Sequence, residues 1–130
     1  MMLSEKIKNI METNVITVES DEDVVFAFEK LMKNKISAMP VMEDGNMVGI
    51  ITATDLGHNL ILDKYELGTP VNAVMVKNVI SITSDKTLAD AVKVMKDSVP
   101  NDDIINQLPV VDDGNLIGII SDGDIIKAIS

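Results

Sequence analysis

Two strings in this chain set a hydroxyl three residues ahead of a carboxylate: Thr52-Ala53-Thr54-Asp55 and Ser121-Asp122-Gly123-Asp124. A carboxylate accepts two hydrogen bonds side by side, which suits the paired 2′ and 3′ hydroxyls of a ribose. If such a string opens a helix, the first-turn N–H groups are unpaired and face any bound anion. The same spacing also makes a capping box, in which the hydroxyl caps the helix and the acid answers it. Both roles can coexist, and the spacing alone leaves both open. His58 is the single histidine and falls one turn past Asp55, either as a solvated helix position or as a phosphate contact. Nucleophilic or metal catalysis would need partners that one His and no Cys do not supply, so the chain is not expected to be an enzyme. The absence of Cys also excludes disulfides and thiolate metal sites.

The elements that must position these strings come from a tandem repeat. Val15-Ile16-Thr17-Val18 matches Val79-Ile80-Ser81-Ile82 at an offset of 64, and Ser20-Asp21 matches Ser84-Asp85 at the same offset. Further on, Pro40-Val41-Met42-Glu43-Asp44-Gly45-Asn46 matches Pro109-Val110-Val111-Asp112-Asp113-Gly114-Asn115 at an offset of 69. The second copy therefore holds five extra residues, around Val99-Pro100-Asn101-Asp102-Asp103, where Asp102 and Asp103 are expected in an exposed loop. Each copy opens with a β-branched run, Val15 to Val18 or Val79 to Ile82, predicted as a strand. Ser20 and Ser84 are expected to cap the following helix, with Asp21-Glu22-Asp23 as a solvated first turn. Val24, Val25, Phe28, Leu31 and Met32 recur at helical spacing, as do Leu88, Ala91, Val92 and Met95. A strand from Ala38 turns at Asp44-Gly45 into Asn46 to Thr52, and Asp113-Gly114 repeats this hairpin signal. A closing helix, Thr54 to Leu62 or Gly123 to Ile129, completes β-α-β-β-α twice, joined near Gly68-Thr69-Pro70. The fold class expected is α+β: two units packed sheet against sheet about a pseudo-twofold axis, with two clefts between them.

Composition narrows the partners. The chain has 130 residues, 46% apolar and only 2% aromatic, with a formal charge of −10. All eleven basic residues are Lys. Nucleic-acid binding needs clustered cations and, for single strands, aromatic platforms, and this chain has neither. No apolar run approaches the ~18 residues of a spanning helix, and the first residues do not read as a signal peptide, so a cytoplasmic protein away from membranes is expected. The core must be Ile, Val, Leu and Met, with Met32, Met39, Met42, Met47, Met75 and Met95 as core fill.

The repeated Pro-Val strand, Asp-Gly hairpin and Gly49-Ile50-Ile51-Thr52 or Gly118-Ile119-Ile120-Ser121 string resemble the CBS domain tandem, or Bateman module. The resemblance runs from about Ile7 to Ile129 and places the repeats at residues 7–66 and 71–130. It implies a regulatory module whose clefts bind an adenosyl compound: AMP, ADP, ATP or S-adenosylmethionine. By resemblance, Asp55 and Asp124 hold ribose hydroxyls, while Thr52, Thr54 and Ser121 lie near ribose and phosphate; Gly123 stands where Thr54 stands in the first copy. Adenine would lie against Thr17, Ile36, Ser37, Ala38 and Pro40, and against Ser81, Asn106, Gln107, Leu108 and Pro109. Without Arg, a phosphate must be held by helix amides, hydroxyls and single contacts from Lys35, His58 or Lys77, which favours a monophosphate or an uncharged adenosyl group. Asp122 adds a like charge beside any phosphate at the second string, so the Asp55 cleft is expected to be the better nucleotide site. The Asp124 cleft is expected to be empty, weak, or suited to a neutral or cationic adenosyl ligand. The resemblance further implies a homodimer and an effector protein on a separate polypeptide, unless this chain is a fragment. The competing reading is a dimerisation or interaction scaffold that binds no ligand.

Overall fold

A computed structural model describes residues 2–62, 68–99 and 105–130. The boundary at residue 66 and most of the five-residue insertion, with Asp102 and Asp103, lie outside the described residues. The chain forms two compact units: a middle unit of residues 16–79, and an end unit built from residues 1–15 and 80–130.

In the middle unit the order is β1 (Val18–Glu19), α1 (Val24–Asn34), β2 (Ala38–Glu43), β3 (Asn46–Thr52) and α2 (Ala53–Ile61). The end unit has α3 (Leu88–Asp97), β4 (Gln107–Asp112), β5 (Asn115–Ser121) and α4 (Asp122–Ile129). Both hairpins turn as their Asp-Gly pairs dictate, with φ of 51° and 80° at Asp44 and Gly45 and 51° and 79° at Asp113 and Gly114.

The first strand is shorter than its β-branched run predicts. β1 pairs in parallel with β2 only at Val18–Val41 and Glu19–Met42, and in the end unit a single bridge, Ile82–Val110, stands in its place. The end unit's named sheet is therefore two-stranded, β4 with β5. Proline is the cause. Ile82 donates to the Pro109 carbonyl at 3.1 Å and accepts from Val111 N at 2.9 Å. The next rung toward residue 80 would need an N–H on Pro109, which has none. Pro40 ends the β1 ladder in the same way.

The expected caps also move. Asp23, not Ser20, caps α1, accepting from Val25 N at 2.7 Å, and Thr87, not Ser84, caps α3 in a full capping box with Asp90. Asp21 and Glu22 thus precede the helix rather than forming its first turn. Ser20, 6% exposed, donates to Glu43 Oε1 at 2.8 Å, and Ser84 donates to the Asp112 carboxylate. Each serine ties the end of its first-strand segment to the end of the neighbouring strand, so its hydroxyl is not free for a helix three residues on.

The cores are built alike. Val18, Val24, Ala27, Leu31, Met39, Val41, Ile51, Leu56 and Val71 cluster in one; Ile7, Ile82, Leu88, Ala91, Met95, Leu108, Val110, Ile120 and Ile125 cluster in the other. Met39 and Met95 fill these cores, but Met32 does not: it is 48% exposed, on the face of α1 turned from the sheet. Each core is closed by a stretch distant in sequence from its helices. Ile7 and Val71 are fully buried, and the stretches after them pair with the hairpins at Glu12–Ile119 and Ile50–Val76, each through two bonds of 2.9 Å. Those crossings need the glycines. A Cβ on Gly49 would lie 2.5 Å from Met75 Sδ and 2.9 Å from the Val76 carbonyl, and one on Gly118 would lie 2.6 Å from Met11 Sδ.

Candidate functional site

In both units the helix-opening string lies beside the start of the preceding strand. Ala38 pairs with Thr52 across β2 and β3, and Gln107 pairs with Ser121 across β4 and β5. The helix then leaves the sheet with its first N–H bonded across the gap. Ala53 N donates to the Ser37 carbonyl at 2.8 Å, and Asp122 N donates to the Asn106 carbonyl at 2.9 Å. Thr52 and Ser121 are the N-caps, their hydroxyls accepting from Asp55 N and Asp124 N at 3.1 Å each. The capping expected from the spacing is therefore present in both strings.

Beyond this point the strings diverge. At Ser121 the box is complete, because Asp124 Oδ2 accepts from Ser121 N at 2.9 Å. Asp122 Oδ1 also accepts from Gly123 N at 2.8 Å. The N–H groups of Asp122, Gly123 and Asp124 are thus all bonded within the protein. At Thr52 only the hydroxyl arm is made. Ala53 has no carboxylate to offer, so among the described residues the Thr54 N–H and the Asp55 carboxylate make no hydrogen bond. Thr54 and Asp55 are exposed, whereas Ser121 and Asp124 are half-buried. One helix start keeps an N–H and a carboxylate unengaged among the described residues, and the other is closed on itself.

The remaining expected residues fall into three groups. Ser37 and Ala38, with Gln107 in the other unit, stand directly beside the helix-opening strings. Pro40, Leu108 and Pro109 are buried, and the Pro109 carbonyl already accepts from Ile82 N at 3.1 Å. Thr17 and Ile36 are half-buried, and the Thr17 carbonyl already accepts from Lys30 Nζ at 2.5 Å. The third group is Lys35, His58, Lys77 and Ser81, all exposed. Lys35 is the left-handed C-cap residue of α1 at φ 54°, and no ion pair joins Lys35, His58 or Lys77 to Asp55 among the described residues.

A pocket of the end unit is lined by Ser81, expected against adenine, and by Thr83, Lys86, Asp90, Lys93 and Val94, which the sequence reading missed. The Thr87 N–H and hydroxyl, both on its carboxylate, hold the Asp90 pKa below the usual 3.8. The spacing Thr87-x-x-Asp90 was the available signal for that box. Among the described residues no cluster of His, Asp and Glu could hold a metal ion, and no helix is long and apolar enough to cross a membrane.

Comparison with known proteins adds to this geometry. A family model described as CBS domain matches residues 7–60 and 71–130. An uncharacterized protein of Methanocaldococcus jannaschii is 37% identical, over 95% of this chain and 90% of its own length. Among solved structures, the CBS domain pair of protein MJ0100 in complex with 5′-methylthioadenosine and S-adenosyl-L-methionine has a TM-score of 0.79 at 29% identity, covering 95% of this chain and 94% of that one. CBSX2 in complex with AMP has a TM-score of 0.79 at 27% identity, covering 96% of each.

Proposed function

The chain belongs to the CBS domain family, and on that footing we propose that it is a regulatory module that binds an adenosyl compound and passes its bound state to a partner protein. The observation that carries this reading is the open start of α2, where an exposed carboxylate and, among the described residues, an unengaged N–H follow the Thr52 rung beside Ala38. Asp55 takes the ribose hydroxyls; the Thr54 N–H and hydroxyl, with Thr52, take the phosphate, reinforced by the helix dipole. The backbone of Ile36 to Ala38 and of Thr17 and Pro40 takes adenine. Lys35, His58 and Lys77 are exposed and add single contacts to the phosphate. The two ligand-bound relatives, with AMP and with methylthioadenosine and S-adenosylmethionine, support an adenosyl ligand.

The end unit works differently in this proposal. Asp122 and Asp124 place two carboxylates in the first turn of α4 and occupy its amides themselves. A phosphate there meets like charge and no free donor, so Ser121, Asp124, Gln107, Leu108 and Pro109 suit a neutral or sulfonium adenosyl ligand. With no Arg in the chain, neither place forks a triphosphate, and AMP is bound in preference to ATP. The chain acts as a homodimer, performs no catalysis, and signals to an effector on another polypeptide. The closed string at Ser121 favours one second reading, a scaffold that binds nothing.

Calorimetric titration of the full chain with AMP, ATP and S-adenosylmethionine tests the proposal. AMP is expected to bind and to raise the melting temperature, since a ligand for the native state alone must stabilise it. No heat and no thermal shift with any of the three ligands would leave the scaffold reading.

A further inference from the structure

Apart from Ser81, placed against adenine by resemblance, the pocket on α3 is lined by residues the adenosyl reading does not use. Its volume is about 410 Å³. The Thr83 hydroxyl is spent on Asp85 Oδ1 at 2.5 Å, and the Asp90 carboxylate on the N–H and hydroxyl of Thr87 at 3.0 Å each. The Lys86 and Lys93 ammonium groups and the Ser81 hydroxyl make no hydrogen bond or ion pair among the described residues. A third cation stands near, Lys6 Nζ donating to the Asp85 carbonyl at 3.0 Å.

The middle unit carries different residues at the same positions. At the offset of 64, Ser81, Thr83, Lys86, Asp90, Lys93 and Val94 correspond to Thr17, Glu19, Glu22, Phe26, Glu29 and Lys30. There Lys30 reaches from α1 to the Thr17 carbonyl at 2.5 Å, and three of these positions are glutamate. In the end unit Val94 replaces that lysine, so the bridge is absent, and two of the three glutamate positions hold lysine instead. The local charge is reversed on a chain whose net charge is −10. Such a chain repels anions in general, and a local inversion of sign offsets that repulsion.

We propose that this pocket is a ligand site separate from the adenosyl strings, and that it takes a small phosphate monoester. The phosphate lies between the Lys86 and Lys93 ammonium groups and accepts from the Ser81 hydroxyl; lysine acts there as a point charge on phosphate. The organic part rests on the Val94 methyls. Asp90 does not oppose this strongly, because its charge is already turned to the Thr87 donors.

Titration of the full chain with glycerol 3-phosphate at constant ionic strength, read by amide chemical shifts, tests the site. Saturable shifts are expected at Ser81, Thr83 and Lys93, distinct from AMP shifts at Thr52 to Asp55. The double variant Lys86→Glu, Lys93→Glu carries the middle unit's own residues at exposed positions, and its apparent affinity is expected to fall about 10-fold or more. Val94→Lys separates a site from diffuse attraction. It adds a cation yet rebuilds the bridge of the middle unit, so weaker binding supports the pocket and stronger binding overturns it. Shifts that never saturate and are matched by sulfate mean an adventitious ion only, and also overturn it.

Discussion

In the middle unit β3 runs into α2 with the Thr54 N–H and the Asp55 carboxylate unengaged; in the end unit β5 runs into α4 with every corresponding group bonded. The two turns share a cap hydroxyl, a carboxylate three residues later, and the same strand pairing beneath. The difference at the N–H traces to one position. Asp122 stands where the other unit has Ala53, and its side chain bonds the next N–H, so the helix start supplies its own anion. The lesson is that two copies of one string can differ in readiness for a ligand through a residue that neither string's spacing specifies.

The largest expected effect tests whether the cores are as equivalent as they look. Ile7 is fully buried in the end unit, so Ile7→Ala is expected to cost about 2–5 kcal/mol in urea unfolding. Val71→Ala in the middle unit should cost less, because fewer buried atoms are removed. A near-zero cost for Ile7→Ala would show that the end unit does not depend on its leading stretch, and the equivalence would fail.

The second effect is on binding. A hydrogen bond to a charged group contributes about 1.5–3 kcal/mol, so Asp55→Ala is expected to weaken AMP by roughly 10- to 100-fold. Asp124→Ala should change AMP affinity by less than about 3-fold, because the Asp124 carboxylate already serves Ser121 N. Equal losses would erase the contrast between the two helix starts.

How much of this was legible in the chain can be judged from particular residues. The repeat, the Asp-Gly hairpins and both helix starts followed from spacing alone. Pro40 and Pro109 also carried the shortness of the first strand, since each lacks the N–H a further rung requires; the β-branched runs before them outweighed that signal. The likeness of Ile7 and Met11 to Val71 and Met75 was legible at the same offset. Ser20 and Ser84 misled because a serine before acids reads as a cap, and only the fold brings Glu43 and Asp112 to their hydroxyls. The reciprocal bond of Asp124 is different in kind. Thr52-x-x-Asp55 and Ser121-x-x-Asp124 are one pattern, and whether the carboxylate turns back is a rotamer choice no spacing records.

A third, smaller effect would convert one unit toward the other. Asp122→Ala removes the acceptor from Gly123 N and leaves that N–H open, as Thr54 N is. AMP is then expected to bind at two places per chain rather than one. The cost to α4 should be about 0.3–1 kcal/mol, the usual scale of an acid at a helix start. Unchanged stoichiometry would mean that the missing hydroxyl at Gly123 or the Asp124 carboxylate turned back on Ser121 N, not the charge of Asp122, closes the site. Gly123 has room for that test, since a Cβ there would meet only Ser121 Oγ, at 3.7 Å.

The smallest effect concerns the caps of the two first helices, Asp23 in the middle unit and the Thr87–Asp90 box in the end unit. Donation from the Thr87 N–H and hydroxyl holds the Asp90 pKa below 3.8 in the folded chain. A carboxyl whose pKa is depressed on folding adds stability above its unfolded value and loses it as pH falls through the folded one. Wild type is therefore expected to melt above Asp90→Asn near neutral pH, with the gap closing as the pH drops well below 3.8. Asp90 is exposed, so solvent screens the effect and the gap is small at every pH. No gap at any pH would assign the box's contribution to the Thr87 hydroxyl on Asp90 N alone, a bond the variant keeps. The two first helices would then be capped by the same kind of single bond, and the contrast between the units would rest on α2 and α4.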